Sequence, residues 1–351
     1  MRFAIGGNAV GPGQQVYIAF EIGGTMSGLV SAMKLVEVAA NAGADAIKVQ
    51  ILNPNRLIGG DPQVAFTDSE GVKRTEPQKD ALARRWLPEE LWLALAQACR
   101  ERNLDFIATV DVESSLTTAL KAEAAAIKIC SGDITNLDWI RLVAANVARR
   151  NIPVLLDTGH ADLGELERAI DIVTDTGVPC MVHHVAGGYP ASIERVNLAG
   201  IPVLAALFPE VAIGYSSHVE AWTIDAAAVA LGVHMVEKNL TLDRRKAGPE
   251  QSSAIEPANA YEFVQAMHTV QRAMGNVRKR ILPAERDGRA AARRCAWLRS
   301  PAPKGTVIAK YMLEYRRPAV QEGFEPPDER FLIGRTLGRD LPVGPILWSD
   351  L

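Results

Sequence analysis

The chain has 351 residues, 48% hydrophobic and 23% charged, the balance of an ordinary globular protein, which excludes a mainly disordered chain and collagen-like or coiled-coil fibres. With 38 Lys+Arg against 41 Asp+Glu and a net charge of −3, it has no global positive field to hold nucleic acid or an anionic membrane. No apolar run approaches the ~20 residues of a membrane span, the start MRFAIGGNAVGPG does not read as a secretory signal, and the widely spaced Cys99, Cys130, Cys180 and Cys295 form no CxxC, so a reducing, cytoplasmic setting is expected.

From residue 17 to about 275, short β-like runs alternate with amphipathic stretches. Strands are expected at 16–22 (VYIAFEI), 46–50 (AIKVQ), 105–110 (DFIATV), 126–130 (AIKIC), 153–158 (PVLLDT), 180–185 (CMVHHV), 211–216 (VAIGYS) and 234–239 (HMVEKN). The first helical stretch, MSGLVSAMKLVEVAANAG, stops at Gly43. LPEELWLALAQACRERN carries Pro88 and two acids at its start, where the helix dipole favours them. NLDWIRLVAANVARRN and DLGELERAIDIVTDTG place apolar residues three and four apart. AWTIDAAAVALGV and PANAYEFVQAMHTVQRAMG complete the pattern. Strand–helix alternation with right-handed crossovers gives a parallel sheet. Eight repeats predict an α/β fold, a (β/α)8 barrel over 1–275, rather than an open doubly wound sheet.

Two regions depart from the alternation. Residues 51–86 are polar and broken by Pro and Gly, longer than a connecting loop should be. Such segments are lids, binding loops or disordered stretches. After Gly275 the chain turns basic: 277–294 holds seven basic and two acidic residues. A basic patch for a partner competes here with a solvated linker, and 276–294 is taken as linker. From 295 to 351, short strand-like pieces (CAWLRS, TVI, MLEYRRP, RFLIGRTLGRD, PVGPILWSDL) predict a small β-rich module. A module of this size is marginal by itself.

In barrels of this kind the chemistry lies at the C-terminal ends of the strands. Those ends carry Glu21; Lys48 and Gln50, which share a face; Thr109, with Asp111 beyond; Lys128, then Ser131 and Asp133; Asp157, Thr158 and His160; His183 and His184, then Gly187, Gly188 and Tyr189; Tyr215, Ser216, Ser217 and His218; and Glu237, Lys238 and Asn239. An unpaired ammonium inside a core is costly. Lys48 and Lys128 are therefore expected to meet an anionic ligand or carboxylates, with Thr109 and Ser131 completing a cradle for phosphate or carboxylate. His218 follows a strand directly and is a candidate ligand or acid–base group. His183 and His184 face opposite ways, so one of them belongs to the core. His160 sits in a Thr-Gly-His turn within reach of the pocket. Metal ligation needs two or three convergent ligands, and position singles out only His218.

These residues sit in motifs that resemble the sialic acid synthase (N-acetylneuraminate synthase) family over nearly the whole chain. FEIGGTMSG, NAGADAIKVQ, AIKICSGDITNLDWI, LLDTGHADLGELERAI, YPASIERVNL, IGYSSH and VEKNLTLDRRKAGPEQSSAIEP carry the resemblance. KGTVIAKYMLEYRRP resembles the antifreeze-like (SAF, β-clip) domain that ends such chains. The resemblance implies an aldol-like condensation, in which phosphoenolpyruvate attacks the aldehyde of an open-chain N-acetylated hexosamine and water displaces phosphate. A divalent metal, Mn²⁺ or Mg²⁺, polarises the aldehyde. It places phosphoenolpyruvate contacts on Lys48, Thr109, Lys128, Ser131 and Ser216, and acid–base and sugar contacts on Glu21, Asp133, Tyr189 and Glu250. The first metal His falls on His218, and an Arg that reaches a neighbouring protomer's site falls on Arg317. A homodimer in which each small domain covers the other barrel is the matching expectation.

The departures concentrate in the site. The second metal His becomes Asn239, a poorer ligand, so the metal site is expected to be altered or lost. An Asn-His pair becomes Thr25-Met26, and a Ser of the anion cradle becomes Asp157, which repels an anion unless protonated or paired. An Asn becomes Gly187, PGPDH becomes GPEQ, and His160 stands where the family has Met. Three readings follow. The first is a phosphoenolpyruvate-dependent synthase with an altered acceptor, using Glu21, His218, Asp133 and His160 for proton transfer and the remaining strand-end groups, Gln50, Asp157, Thr158, His184, Glu237 and Lys238 among them, for binding. The second is a lyase or aldolase acting on a related carboxylate without metal. The third is a non-catalytic sugar- or anion-binding protein on the same scaffold.

Overall fold

Strands with apolar residues on both faces need cover on both, and a helix after each strand supplies the outer one. The computed structural model describes residues 1–68, 70–275, 278–320 and 322–351. In chain order its elements begin with β1 (Phe3–Ile5), β2 (Asn8–Val10), β3 (Tyr17–Glu21), α1 (Gly28–Ala42), β4 (Ala46–Ile51), α2 (Pro54–Leu57), β5 (Gln63–Thr67), β6 (Lys73–Pro77), α3 (Gln78–Ala83) and α4 (Glu89–Arg100). They continue with β7 (Asp105–Val110), α5 (Glu113–Lys121), β8 (Ala126–Ile129), α6 (Leu137–Ala148), β9 (Val154–Asp157), α7 (Leu163–Thr174), β10 (Cys180–Val185), α8 (Gly200–Leu207), β11 (Ala212–Ser217), α9 (Thr223–Ala230), β12 (Met235–Asn239) and α10 (Pro257–Met274). Then come α11 (Arg286–Ala292), β13 (Cys295–Leu298), β14 (Leu313–Arg316) and α12 (Glu329–Leu332). All eight expected barrel strands form, and they close in parallel as β3-β4-β7-β8-β9-β10-β11-β12. Local signals agree with this: Gly43 ends α1 in the left-handed conformation at φ 77°, and Asp162 and Glu165 form a reciprocal cap on α7.

Period-2 alternation sorts each strand into two sets. Outward residues such as Phe20, Val49, Phe106, Ile129, Leu156 and Ile213 are buried under the helices. Inward residues at the N-terminal end (Tyr17, Ala19, Ala46, Ile107, Ala126, Leu155, Met181, Ala212, Met235) form a separate apolar layer. The β1–β2 hairpin, with strands of three residues each, sets Ile5 and Val10 against this layer, both fully buried. Each side chain contributes ~1.5–3 kcal/mol by burial.

Residues 51–86 hold α2, the antiparallel β5–β6 hairpin and α3; residue 69 lies outside the described residues. Asn53 accepts a hydrogen bond from the Asn55 N–H and Pro54 takes the first helical position, where its missing N–H costs nothing. Phe66, Ala81 and Leu82 are buried.

The chain divides into two compact units, Met1–Gly275 and Asn276–Leu351. Within 276–294, α11 is helical and residues 276 and 277 lie outside the described residues. The second unit packs Leu298, Ile308, Leu313, Phe324, Leu332 and Ile346 around the antiparallel β13–β14 pair. The strand-like RFL of RFLIGRTLGRD is instead part of helix α12, and the strand-like WSD near the C-terminus is a 3-10 turn. Both runs are short and apolar, a pattern that does not separate helix from strand.

Candidate active site

Two residues above the apolar layer, the barrel interior becomes ionisable. Lys128, 1% exposed, lies 2.9 Å from Asp157 and 2.7 Å from Glu237. Lys48 is ion-paired with Glu21 and lies 3.6 Å from Glu237. Ser216 donates to Glu237 at 3.2 Å, and His183 Nδ1 is 3.2 Å from Asp157. This network is the floor of a cavity of about 380 Å³. Lys128 and Ser216 lie beneath its surface. Glu21, Lys48, Gln50, Thr109, Ser131, Asp157, His160, Tyr189, His218, Glu237 and Glu250 line it.

Burial and close charges compete at each of these groups. Burial, with Glu250 and Glu237 nearby, outweighs Lys48 and raises the Glu21 carboxyl to about 7. Burial would lower Lys48, yet Glu21, Glu237 and Asp157 together push it up. Asp157 is pushed the other way, with Lys128, His183 and Lys48 overcoming burial to hold it well below the usual carboxylate range. Glu237 falls to about 2 because Lys128 and Lys48 outweigh burial. Thr109 Oγ1, His218 Nδ1 and Glu237 Oε2 are buried cavity-wall atoms without hydrogen-bond partners among the described residues, which marks polar groups suited to a ligand.

At the mouth, Tyr189 packs against His218 with ring centroids 4.4 Å apart. Burial lowers His218 and raises the Tyr189 hydroxyl. Glu250 accepts from Arg85 Nη1 at 3.1 Å and from Asn239 Nδ2 at 2.7 Å. A Cβ on Gly24 would stand 1.8 Å from Glu250 Oε2, so the glycine of FEIGG makes room for this carboxylate. His160 has a left-handed φ of 64°, and its ring fills the place a side chain at Gly187 would need, with Cε1 2.4 Å from a Cβ built there.

Other expected residues fall elsewhere. Strand alternation turns Lys238 away from Glu237 and out of the barrel, where it is fully buried against Ser217, the Val219 carbonyl and Asp225. His184 likewise faces outward, with Nε2 2.7 Å from the Val196 carbonyl, and its neighbour His183 takes the interior position. Gly214 admits that ring: a Cβ there would lie 2.4 Å from His183 Cδ2. Thr158 donates to the His183 carbonyl and, with His184, borders an adjoining cavity. Asp133 sits in a 3-10 turn and accepts from Cys130 Sγ. Asn239 stands behind Glu250, and Arg317 belongs to the second unit. The sequence marks residues 51–86 as a lid, binding loop or disordered stretch without singling out any of its side chains, and the structure supplies them: Leu52, Leu57, Val64, Gln78, Leu82 and Arg85 all line the cavity. A segment too long and too polar for a connection was the available signal.

A divalent metal would need converging donors. Among the described residues no group of three or more His, Cys, Asp or Glu is placed to hold one. Asn239 turns its amide N–H₂ toward Glu250. The donor set around His218 does not fit a metal ion.

A closed parallel barrel with an ionised cavity at its C-terminal mouth defines an enzyme of the (β/α)8 class. The NeuB family matches residues 35–279. The spore coat polysaccharide biosynthesis protein SpsE of Bacillus subtilis is 30% identical over 99% of this chain and 97% of its own. The N,N'-diacetyllegionaminic acid synthase of Legionella pneumophila is 28% identical over 97% of this chain and 96% of its own. The solved N-acetylneuraminic acid (sialic acid) synthetase of Leptospira borgpetersenii superposes with a TM-score of 0.72 at 25% identity, covering 82% of this chain and 95% of its own. The chain belongs to the NeuB family.

Proposed function

We propose that this chain is a carbon–carbon bond-forming synthase that joins phosphoenolpyruvate to the aldehyde carbon of a sugar-type acceptor, giving a 2-keto acid sugar. The observation that carries this reading is the convergence of Lys48, Thr109 and Ser131 on one cavity directly above Lys128. Two ammonium groups with hydroxyl donors suit a carboxylate and a phosphate. Glu21, raised to about 7, holds or releases a proton near neutral pH, as a general acid–base group must. His218, buried and lowered, is a neutral imidazole lining the same cavity. The methylene carbon of phosphoenolpyruvate bonds to the aldehyde carbon, and the carbonyl electron pair moves to oxygen. Water adds to C2, its proton passes to the new alkoxide, and the tetrahedral carbon expels hydrogen phosphate. The NeuB family is in general metal-dependent, whereas these steps use only the chain's own groups.

A second reading draws on Asp157. Its carboxylate already occupies Lys128, as a bound anion would, which favours a lyase or aldolase acting on a related, less highly charged carboxylate. Phosphate release from phosphoenolpyruvate with a panel of N-acetylated hexosamines and unsubstituted aldoses tests the first reading. Release that depends on an aldehyde supports it. No release, with phosphoenolpyruvate unbound by calorimetry, would turn the assignment to the second.

The second unit is read as an antifreeze-like module, and the chain as a cytoplasmic homodimer in which Arg317 serves the partner's site. A monomeric sedimentation coefficient at micromolar concentration would reject the dimer.

A further inference from the structure

The two ends of the cavity differ in charge. At the floor, two ammonium groups meet three carboxylates. Lys48 and Arg85 are the two lysine or arginine residues among the described lining residues, and where Lys48 belongs to the floor, Arg85 stands at the mouth with Tyr189, His218 and Glu250. It comes from the segment outside the barrel alternation and is 12% exposed. Its Nε donates to the Ala81 carbonyl at 3.0 Å and its Nη1 to Glu250 at 3.1 Å, so two of its three nitrogens are anchored. Nη2 has no hydrogen-bond partner among the described residues. Glu250 is itself held by Asn239 at 2.7 Å. Arg85 is therefore a preoriented cation one carboxylate away from Asn239.

An aldehyde oxygen that gains charge as a carbon–carbon bond forms needs a preorganised positive group, and a guanidinium acts more strongly in a water-poor cavity than in bulk water. Lys48 stands at the floor beside Glu21 and Glu237, on the side read above as the phosphoenolpyruvate site, and the donor set near His218 does not suit a metal. We propose that Arg85 is the acceptor-side catalytic residue, binding the aldehyde oxygen through its free N–H groups and stabilising the alkoxide until it is protonated. This inference rests on the synthase reading and deepens it. Glu250 and Asn239 are then positioning residues, holding the guanidinium rather than touching the reacting atoms.

The test uses the full chain treated with EDTA. Phosphate release, phosphoenolpyruvate affinity by calorimetry and Mn²⁺ binding by electron paramagnetic resonance are measured for the unaltered chain, Arg85→Ala and Arg85→Lys. The expected result is EDTA-resistant turnover and no bound Mn²⁺ in the unaltered chain. Arg85→Ala should lose about 100-fold in kcat with phosphoenolpyruvate affinity unchanged within about twofold, and added guanidinium should restore part of the loss. Arg85→Lys should be intermediate. Unchanged kcat in Arg85→Ala would overturn the inference. So would turnover of the unaltered chain that vanishes with EDTA and returns with Mn²⁺, since a metal would then supply the charge. Loss of phosphoenolpyruvate affinity in both variants would also overturn it, because Arg85 would then serve the donor site or the fold. If the unaltered chain itself releases no phosphate with any aldehyde, the synthase reading fails and the inference falls with it, an outcome distinct from the others.

Discussion

The lower and upper halves of the barrel interior share a backbone and differ in chemistry. Two residues up seven of the eight strands, Ala19 gives way to Glu21, Ala46 to Lys48, Ile107 to Thr109, Ala126 to Lys128, Leu155 to Asp157, Met181 to His183 and Met235 to Glu237, while on the eighth Ala212 is followed by Gly214, which makes room for the His183 ring. The lower layer is apolar and closed by Ile5 and Val10. It stabilises the barrel chiefly by burial, with the Tyr17 hydroxyl donating to Asp105 at 2.9 Å. The upper layer places two ammonium groups and three carboxylates where water is scarce. Such networks add little net stability, because desolvation offsets attraction, but breaking one partner leaves an uncompensated charge. The lower half is built for stability and the upper half for binding.

The largest effect that could break this division is Lys128→Met. It should cost ~3–5 kcal/mol in denaturant unfolding, since Asp157 and Glu237 would face each other, and turnover should vanish. Leu155→Ala in the lower layer should cost ~2–5 kcal/mol with the KM for phosphoenolpyruvate unchanged. A shift in KM from that variant would show that the halves are coupled.

The pH response sharpens the contrast. Glu21 titrates at about 7 in the folded chain against an ordinary 4.5, so between these values the folded state holds a proton that the unfolded chain has lost. Stability from this group therefore falls as pH rises through that window, by on the order of 3 kcal/mol. Glu237, lowered from 4.5 to about 2, acts oppositely: its contribution is full above 4.5 and is lost as pH falls toward 2. Glu21→Gln should flatten the neutral limb and leave the acid limb. A neutral slope that survives the substitution would place the titration elsewhere. The smallest expected effect is Asp157→Ser, which removes a carboxylate from Lys128 and should tighten phosphoenolpyruvate binding about tenfold, or ~1.4 kcal/mol. Weaker binding by calorimetry would argue that Asp157 is part of the recognition.

Much of this was legible residue by residue. Period-2 runs separated by helix-length segments located every barrel strand, and strand ends located Glu21, Lys48, Thr109 and Asp157 at one rim. Local pattern did not choose between neighbours. His183 and His184, or Glu237 and Lys238, are equally polar in sequence, and strand register, which no single residue reports, sent one of each pair inward. Arg85 was invisible for a related reason: it lies 165 positions from Glu250, the side chain it meets.

The sequence by itself determined the barrel, because burying apolar residues at strand and helix periods leaves few architectures, and it determined which end of that barrel carries charge. Only the tertiary structure decided that the lysines stand in a shared carboxylate network, that the β1–β2 hairpin plugs the opposite end, and that residues 51–86 wall the cavity. Those outcomes depend on distances between segments far apart in the chain, and such distances are set by closure of the whole barrel rather than by any local preference.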